Sequence, residues 1–149
     1  MSPTSEIATN ELARTRSAVL NVLVGIAAMI ALSGWLIRLR AQGPVPRLIP
    51  GWHDSLMLGL LTTSVASYLI RRRWTRWATS LSTVARPPDF HRSHVAAAVV
   101  AALGVPIGLV YGWFVDPSFD GVAPFWVVPM AMGLLSIPRK WERGPRSTR

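Results

Sequence analysis

Residues 17–37 read SAVLNVLVGIAAMIALSGWLI, a run of twenty-one residues without an ionisable side chain. An α-helix rises about 1.5 Å per residue, so roughly 20 residues cross a hydrocarbon core about 30 Å thick. Three more apolar segments follow, at 50–70, 95–115 and 121–137. The sequence therefore predicts an all-α integral membrane protein, with four transmembrane helices arranged as two hairpins.

The composition agrees with a membrane protein and excludes several kinds of site. Half of the 149 residues are hydrophobic, yet the formal net charge is +9, a combination that suits apolar spans joined by short charged loops. Four spans leave no room for a soluble catalytic domain. The chain has no cysteine, which excludes disulfides, thiol redox chemistry and cysteine-ligated metal centres.

The amino-terminal segment does not resemble a cleaved signal peptide. It carries Glu6, Glu11, Arg14 and Arg16, and the apolar run behind it exceeds the roughly 7–15 residues of a signal core. We expect the first helix to remain as an anchor. Only one of the sixteen basic residues is lysine and alanine is abundant, which is typical of a GC-rich bacterial genome.

The basic residues predict the orientation. Thirteen of the sixteen fall in residues 1–16, 71–94 and 138–149. Lysine and arginine collect in the cytoplasmic loops of membrane proteins, so we expect a cytoplasmic tail over 1–16, a transmembrane domain over 17–137 with a cytoplasmic loop at 71–94, and a basic cytoplasmic tail over 138–149. The expected location is the bacterial inner membrane. The three basic residues that oppose the bias are Arg38, Arg40 and Arg47.

The loop after the second span contains an amphipathic pattern. Residues 71–86 read RRRWTRWATSLSTVAR, which spaces Trp74, Trp77 and Leu81 for one helical face. The pattern predicts a short helix over 72–86 in the inner headgroup layer, ended by Pro87 and Pro88. A partner protein covering the same face is the alternative. The residues predicted to contact anionic headgroups or a partner are Arg71, Arg72, Arg73, Trp74, Arg76, Trp77 and Leu81.

Small residues recur every four positions in two spans. Such stripes let helix backbones approach closely, which in lipid replaces the missing hydrophobic attraction. We expect both faces to be buried, against each other or in a homo-oligomer. Pro106 and Pro129 are expected to kink the third and fourth helices. The predicted helix-packing residues are Ser55, Gly59, Thr63, Ser67, Gly104, Gly108 and Gly112.

The two hairpins resemble each other in sequence. SGWLI at 33–37 matches YGWFV at 111–115, and MLGLL at 57–61 matches AMGLL at 131–135. A tandem repeat would relate the hairpins by a pseudo-two-fold axis along the membrane normal. Apolar sequence of low complexity also generates such matches, so coincidence is the alternative explanation.

Residues with catalytic or metal-binding chemistry are sparse. No Asp, Glu, Lys, Arg or His lies in the middle of a span, which argues against proton-coupled transport and voltage sensing. His91 and His94, in the HRSH segment, are expected in a solvated loop.

One combination of four residues could form a cation site on the outer face. Nothing in their spacing demands it, and Asp54 suits the dipole at the start of the second helix equally well. No catalytic, cofactor-binding or metal-binding residue is therefore predicted. The four residues are His53, Asp54, Asp116 and Asp120.

These observations predict a non-enzymatic accessory or assembly subunit of a larger membrane protein complex. The alternatives are a homo-oligomeric pore, either a small channel or a holin-like protein, and a small transporter. The expected partners are a bilayer with anionic headgroups and other membrane subunits or further copies of the chain. Because the arginines follow topology, nucleic acid is not among them.

The orientation predicts which loops are accessible from outside the cell. Cysteines introduced at Gln42 and Ser118 should react with a membrane-impermeant maleimide in intact cells, and a cysteine at Ser82 should react only after permeabilisation. Labelling of the Ser82 position alone in intact cells would reverse the orientation.

Overall fold

A computed structural model describes residues 3–42, 49–80 and 87–138. This part of the chain is all-α, with four long helices, the third of which is divided into α3 and α4. A single turn of 3-10 helix at Pro50–Trp52 precedes the second long helix. The α-helices are α1 (Pro3–Ala41), α2 (His53–Ser80), α3 (Pro87–Ala102), α4 (Gly104–Phe114) and α5 (Phe119–Leu135).

Two apolar clusters fill the interior of the bundle, one towards each end. Near the middle of α1, Val19 and Ile26 pack with Val105, and all three are almost fully buried. Towards the end of α1, Val122 and Phe125 are fully buried in the second cluster. Each cluster draws on α1, on the divided helix and on α5, so the helices bury their apolar surface jointly.

The division between α3 and α4 follows from Pro106. Proline has no backbone N–H, and its ring clashes with the carbonyl four residues earlier, which here belongs to Ala102. The helix is interrupted at Leu103, whose backbone N–H instead bonds to the Val100 carbonyl at 3.3 Å. The distortion expected at Pro106 is therefore present, whereas α5 continues through Pro129 as one helix.

Three helices extend further than the apolar runs predict. The helix α1 begins at Pro3, so the segment expected as a polar tail is helical, and α3 begins at Pro87 rather than near residue 95. The expectation of a separate interfacial helix over 72–86 is wrong for residues 72–80, because α2 continues through them without interruption to Ser80. No glycine or proline stands between Gly59 and Pro87, and arginine and alanine favour helix, so nothing ends α2 at the last apolar residue. Residues 81–86 lie outside the described part.

Within the described ranges, two helices are long and apolar enough to cross a membrane: Leu12–Ala41, and the divided helix over His91–Phe114. The helix α5 is apolar but shorter. Length and composition are weak evidence, because the core helix of a soluble protein meets the same test. The apolar window of α1, however, is only 22% buried, whereas a soluble core helix is mostly buried.

The glycines of α4 set its distance from neighbouring helices. A Cβ at Gly104 would lie 2.5 Å from Pro129 Cγ, and a Cβ at Gly108 would overlap Phe125 Cβ. Both neighbours belong to α5. A Cβ at Gly112 would lie 2.5 Å from Ile37 Cδ1 of α1. The glycine stripe therefore packs within one chain, against α5 and α1.

This packing predicts that Gly108→Ala destabilises the protein. The added methyl group meets Phe125 Cβ, an atom that moves only with its backbone, and overpacking of this kind costs about 1–3 kcal/mol. The matched control is Gly25→Ala, since a Cβ at Gly25 meets no atom within 4 Å. The melting temperature of the purified protein in detergent should fall for Gly108→Ala and stay level or rise for Gly25→Ala. Equal melting temperatures for the two variants would contradict the close approach of α4 and α5.

Candidate functional site

A buried polar layer lies around Thr15 in the first half of α1, beside the end of α5. His94 is only 2% exposed, and its Nδ1–H donates to the Ser136 backbone carbonyl at 2.7 Å. Thr15 is fully buried, with its Oγ1 3.1 Å from His91 Nδ1. The expectation that both histidines occupy a solvated loop is wrong, because α3 begins at Pro87 and carries them into contact with α1 and with the residue that follows α5.

Arg16 adds a further interhelical contact to this layer. Its Nε and Nη2 atoms each donate to the Pro138 carbonyl at 3.2 Å. Pro138 is fully buried, and its carbonyl follows the last turn of α5, where backbone acceptors lack helical partners. Arg16 therefore joins the first half of α1 to the segment that follows α5.

At the opposite end of the bundle, polar residues make local or pairwise contacts. His53 Nδ1 lies 2.9 Å from the Tyr111 hydroxyl, and Tyr111 is nearly buried against Phe125, with ring centroids 4.8 Å apart. Asp116 accepts from the Ser118 N–H at 2.9 Å and from its hydroxyl at 2.7 Å. Within the described residues, no three His, Asp or Glu side chains come close enough to hold a metal ion, so the four-residue cation site is not assembled here.

The small-residue stripe of the second helix faces inward along most of its length. Gly59 lies against α4, and Ser67 is buried, donating to the Ala97 carbonyl of α3 at 2.8 Å. Thr63 is half-buried, whereas Ser55 is exposed. The stripe therefore packs on the divided helix. The nearest neighbours of the α4 glycines belong to α5 and α1, although a Cβ at Gly104 would also lie 3.1 Å from Leu60 Cδ1 of α2, so the two stripes do not pack glycine against glycine.

The basic segment at the end of α2 is described only in part. Arg71 is half-buried, and Arg72 and Arg73 are exposed. The Arg72 guanidinium carbon lies 6.0 Å from the centroid of the Tyr68 ring, one turn earlier on the same helix. The backbone of 74–80 belongs to α2. The predicted contact residues whose side chains lie outside the described part are Trp74, Arg76, Trp77 and Leu81.

Arg40 occupies a position whose importance the sequence reasoning missed. Its guanidinium carbon lies 5.2 Å from the centroid of the Trp113 ring, and its Nε is buried without a hydrogen-bond partner. The side chain as a whole is half-buried, whereas Arg38 is exposed. The available sequence signal was that both arginines oppose the positive-inside bias. The neighbour of Arg40 could not be read from the sequence, because Trp113 belongs to another helix.

An apolar groove of about 370 Å³ runs along the outside of the bundle between α1 and α5. The indole ring of Trp126 lines it and lies beside Gly34 of α1. The indole Nε1 is buried without a hydrogen-bond partner. The groove is thus a recess for apolar groups, lined by Ile30, Trp126, Val127, Met130, Ala131 and Leu134.

The three histidines of the chain all make contacts between elements of the fold. His53 pairs with Tyr111, while His91 and His94 join the polar layer. No family model matches the sequence, and no curated protein or solved structure matches it. Function is therefore inferred from the surface and contacts of this chain alone.

The buried polar layer predicts unequal effects of two histidine substitutions. His94→Ala removes the donor to the Ser136 carbonyl and leaves a gap, so it should lower the free energy of unfolding by about 1–3 kcal/mol. His91→Ala, at a half-buried position, should cost less. Melting in detergent, followed by tryptophan fluorescence, measures both. A His94→Ala variant that melts with the wild type would mean that the carbonyl is satisfied in another way.

Proposed function

We propose that this chain is a non-catalytic, polytopic protein of the bacterial inner membrane, an accessory or assembly subunit of a larger membrane protein complex. One observation carries the proposal: the described histidines bind helices to one another, while the outward faces of the helices are apolar. The described residues therefore offer a surface for association, and among them no three His, Asp or Glu side chains come close enough to hold a metal ion.

The apolar surface extends over three helices. Val24 on α1 is 69% exposed, Leu58 on α2 is 63% exposed and Val127 on α5 is 65% exposed. Large apolar side chains exposed on several helices are unfavourable in water, and they suit lipid chains or neighbouring transmembrane helices. The groove between α1 and α5 adds a recess into which apolar side chains of another subunit can pack.

The distribution of arginines supports an orientation with both termini in the cytoplasm. Six arginines with described side chains lie at the end of the bundle that contains the polar layer, and two such arginines lie at the opposite end. With the positive-inside rule, the arginine-rich end faces the cytoplasm. The first group is Arg14, Arg16, Arg71, Arg72, Arg73 and Arg92, and the second is Arg38 and Arg40.

The basic end of α2 is proposed to meet the anionic inner leaflet. Each arginine near such a surface contributes on the order of 1 kcal/mol of attraction. Because α2 is continuous to Ser80, Arg71, Arg72 and Arg73 would meet the headgroups as the helix leaves the hydrocarbon core, rather than from a separate helix lying in the plane.

The internal packing favours a subunit over a pore or a transporter. A homo-oligomeric pore built on the small-residue stripes would need those stripes at the surface of the chain. Gly108 instead packs directly against Phe125, and the Ser67 hydroxyl donates a hydrogen bond to the Ala97 carbonyl, both within the same chain. What remains for contact with another protein is the apolar outer face.

Photocrosslinking in intact membranes tests the proposal. A photoreactive amino acid is placed singly at Val24, Leu58 and Val127, with the almost fully buried Val105 as the matched control. For an accessory subunit, at least one exposed position should yield a discrete adduct with a larger membrane protein, and that protein should co-purify in mild detergent at a fixed ratio. The Val105 position should yield no adduct with another chain.

Two outcomes would contradict the proposal. Adducts between copies of this chain, in a ladder of increasing size, would support the homo-oligomeric pore. Adducts with lipid alone at all three exposed positions, together with a monomeric protein in detergent, would exclude a stable complex.

A further inference from the structure

Three tryptophans lie towards the end of the bundle opposite the arginine-rich end. Trp35 is 58% exposed and Trp52 is 45% exposed, while Trp113 is half-buried beside the end of α1. The backbone N–H of Ile49 donates to the Phe114 carbonyl at 2.7 Å, which holds the segment that leads into α2 beside the end of α4. Tryptophans at one level of a membrane protein mark the headgroup layer.

Arg40 packs against one of these tryptophans, Trp113. Its guanidinium carbon lies 5.2 Å from the Trp113 ring centroid, a distance at which the cation is attracted to the ring face. Its Nε is covered by protein without an acceptor. No hydrogen bond within the described residues engages its two Nη groups, so both can donate to a ligand.

No protein carboxylate neutralises this guanidinium in the described part of the chain, where Arg40 has the Trp113 ring as its neighbour and no ion pair. A charged donor partly removed from water is costly unless an acceptor is supplied. A planar guanidinium presents two parallel N–H groups that match the oxygens of a phosphate. An anion with phosphate oxygens therefore fits the site better than a simple monovalent ion.

We propose that Arg40, stacked on Trp113, binds the phosphodiester of a phospholipid headgroup at the end of the bundle opposite the arginine-rich end. The inference rests on the membrane location proposed above. The positive-inside rule predicts few arginines at this end of the bundle. A lipid ligand explains why Arg40 is nevertheless there, because its charge would bind the headgroup rather than set the orientation of the chain.

A simpler role for Arg40 would be attraction to the helix dipole. Cations in the last turn of a helix interact favourably with its free carbonyls, and both Arg38 and Arg40 lie in the last turn of α1. That explanation applies equally to the two residues. Only Arg40 has the tryptophan ring and the covered Nε, so Arg38, exposed on the same turn, is the matched control.

Lipid binding to the purified full-length chain tests the site. The protein is prepared in a maltoside detergent, which carries no phosphate, and titrated with dioleoyl phosphatidylglycerol while bound lipid is counted by native mass spectrometry. Arg40→Gln should weaken the tightest binding roughly tenfold, the loss expected for one charge-assisted pair. Arg38→Gln should bind as the wild type does. Dioleoylglycerol, which has the same chains without phosphate, should show no dependence on Arg40.

Two further variants keep the test informative if Arg40→Gln does not fold. Arg40→Lys retains the charge but not the planar fork, so its affinity should fall while its melting temperature without lipid stays unchanged. Trp113→Leu removes the ring that orients the guanidinium, and it should weaken the same binding event. Loss of binding in both variants supports a built site.

Three results would overturn the inference. Equal weakening by Arg38→Gln and Arg40→Gln would mean diffuse charge attraction. Unchanged affinity in Arg40→Lys and Trp113→Leu would remove the site. Full competition by millimolar inorganic phosphate would assign the site to free phosphate and not to lipid. Extraction by alkaline carbonate separates the proposed membrane location from the proposed lipid site. If carbonate extracts the protein from the membrane, both proposals are wrong. If the protein stays in the membrane and Arg40→Gln binds lipid as the wild type does, only the lipid site is wrong.

Discussion

The close approach of α4 to α5 is the constraint on which the rest of the bundle depends. Gly108 lies against Phe125 with no space for a methyl group between them, and Gly104 and Gly112 extend the same close packing to the turns before and after. In a membrane, apolar side chains gain little by leaving lipid, so contact between backbones and dispersion forces carry helix association. A stripe without side chains maximises that contact, and it places Phe125 and Val122 in the centre of the fold.

Hydrogen bonds at both ends of the bundle fix the relative heights of the helices. His94 and Arg16 bind backbone carbonyls after α5 at one end, and His53 meets Tyr111 at the other. Sliding any of these helices by one turn, about 5.4 Å, would break every such contact in which it takes part. The glycine stripe therefore sets how closely the helices pack, and the terminal polar groups set their register.

The sequence predicts the helices better than their ends or their neighbours. Apolar runs locate the four long helices, and Pro106 locates the interruption, because both effects are local. Hydropathy does not report where a helix stops once it leaves an apolar run, so the start of α1 at Pro3 and the continuation of α2 to Ser80 are missed. The glycine spacing predicts a close approach, yet its partner Phe125 is a large residue without a corresponding signal.

The polar contacts join residues that are far apart in the sequence, so the sequence does not predict them. His94 finds its acceptor at Ser136, 42 residues further along the chain, so a segment rich in arginine and histidine resembles a solvated loop. Arg40 was visible as an exception to the charge bias, but its pairing with Trp113 requires two helices to be placed side by side. Local pattern thus accounts for the helices, and only the folded chain brings the candidate site together.

The length of α5 has a consequence for the bilayer around the protein. Its 17 residues reach about 26 Å at 1.5 Å per residue, whereas a typical hydrocarbon core is about 30 Å thick. In the proposed membrane location, lipid beside α5 would have to thin by a few ångströms, at a cost of fractions of a kcal/mol per ångström. Lipid next to the much longer α1 carries no such deficit. The protein would therefore be surrounded by a bilayer of uneven thickness, and a neighbouring protein that covered α5 would relieve the strain in the lipid as well as burying apolar surface.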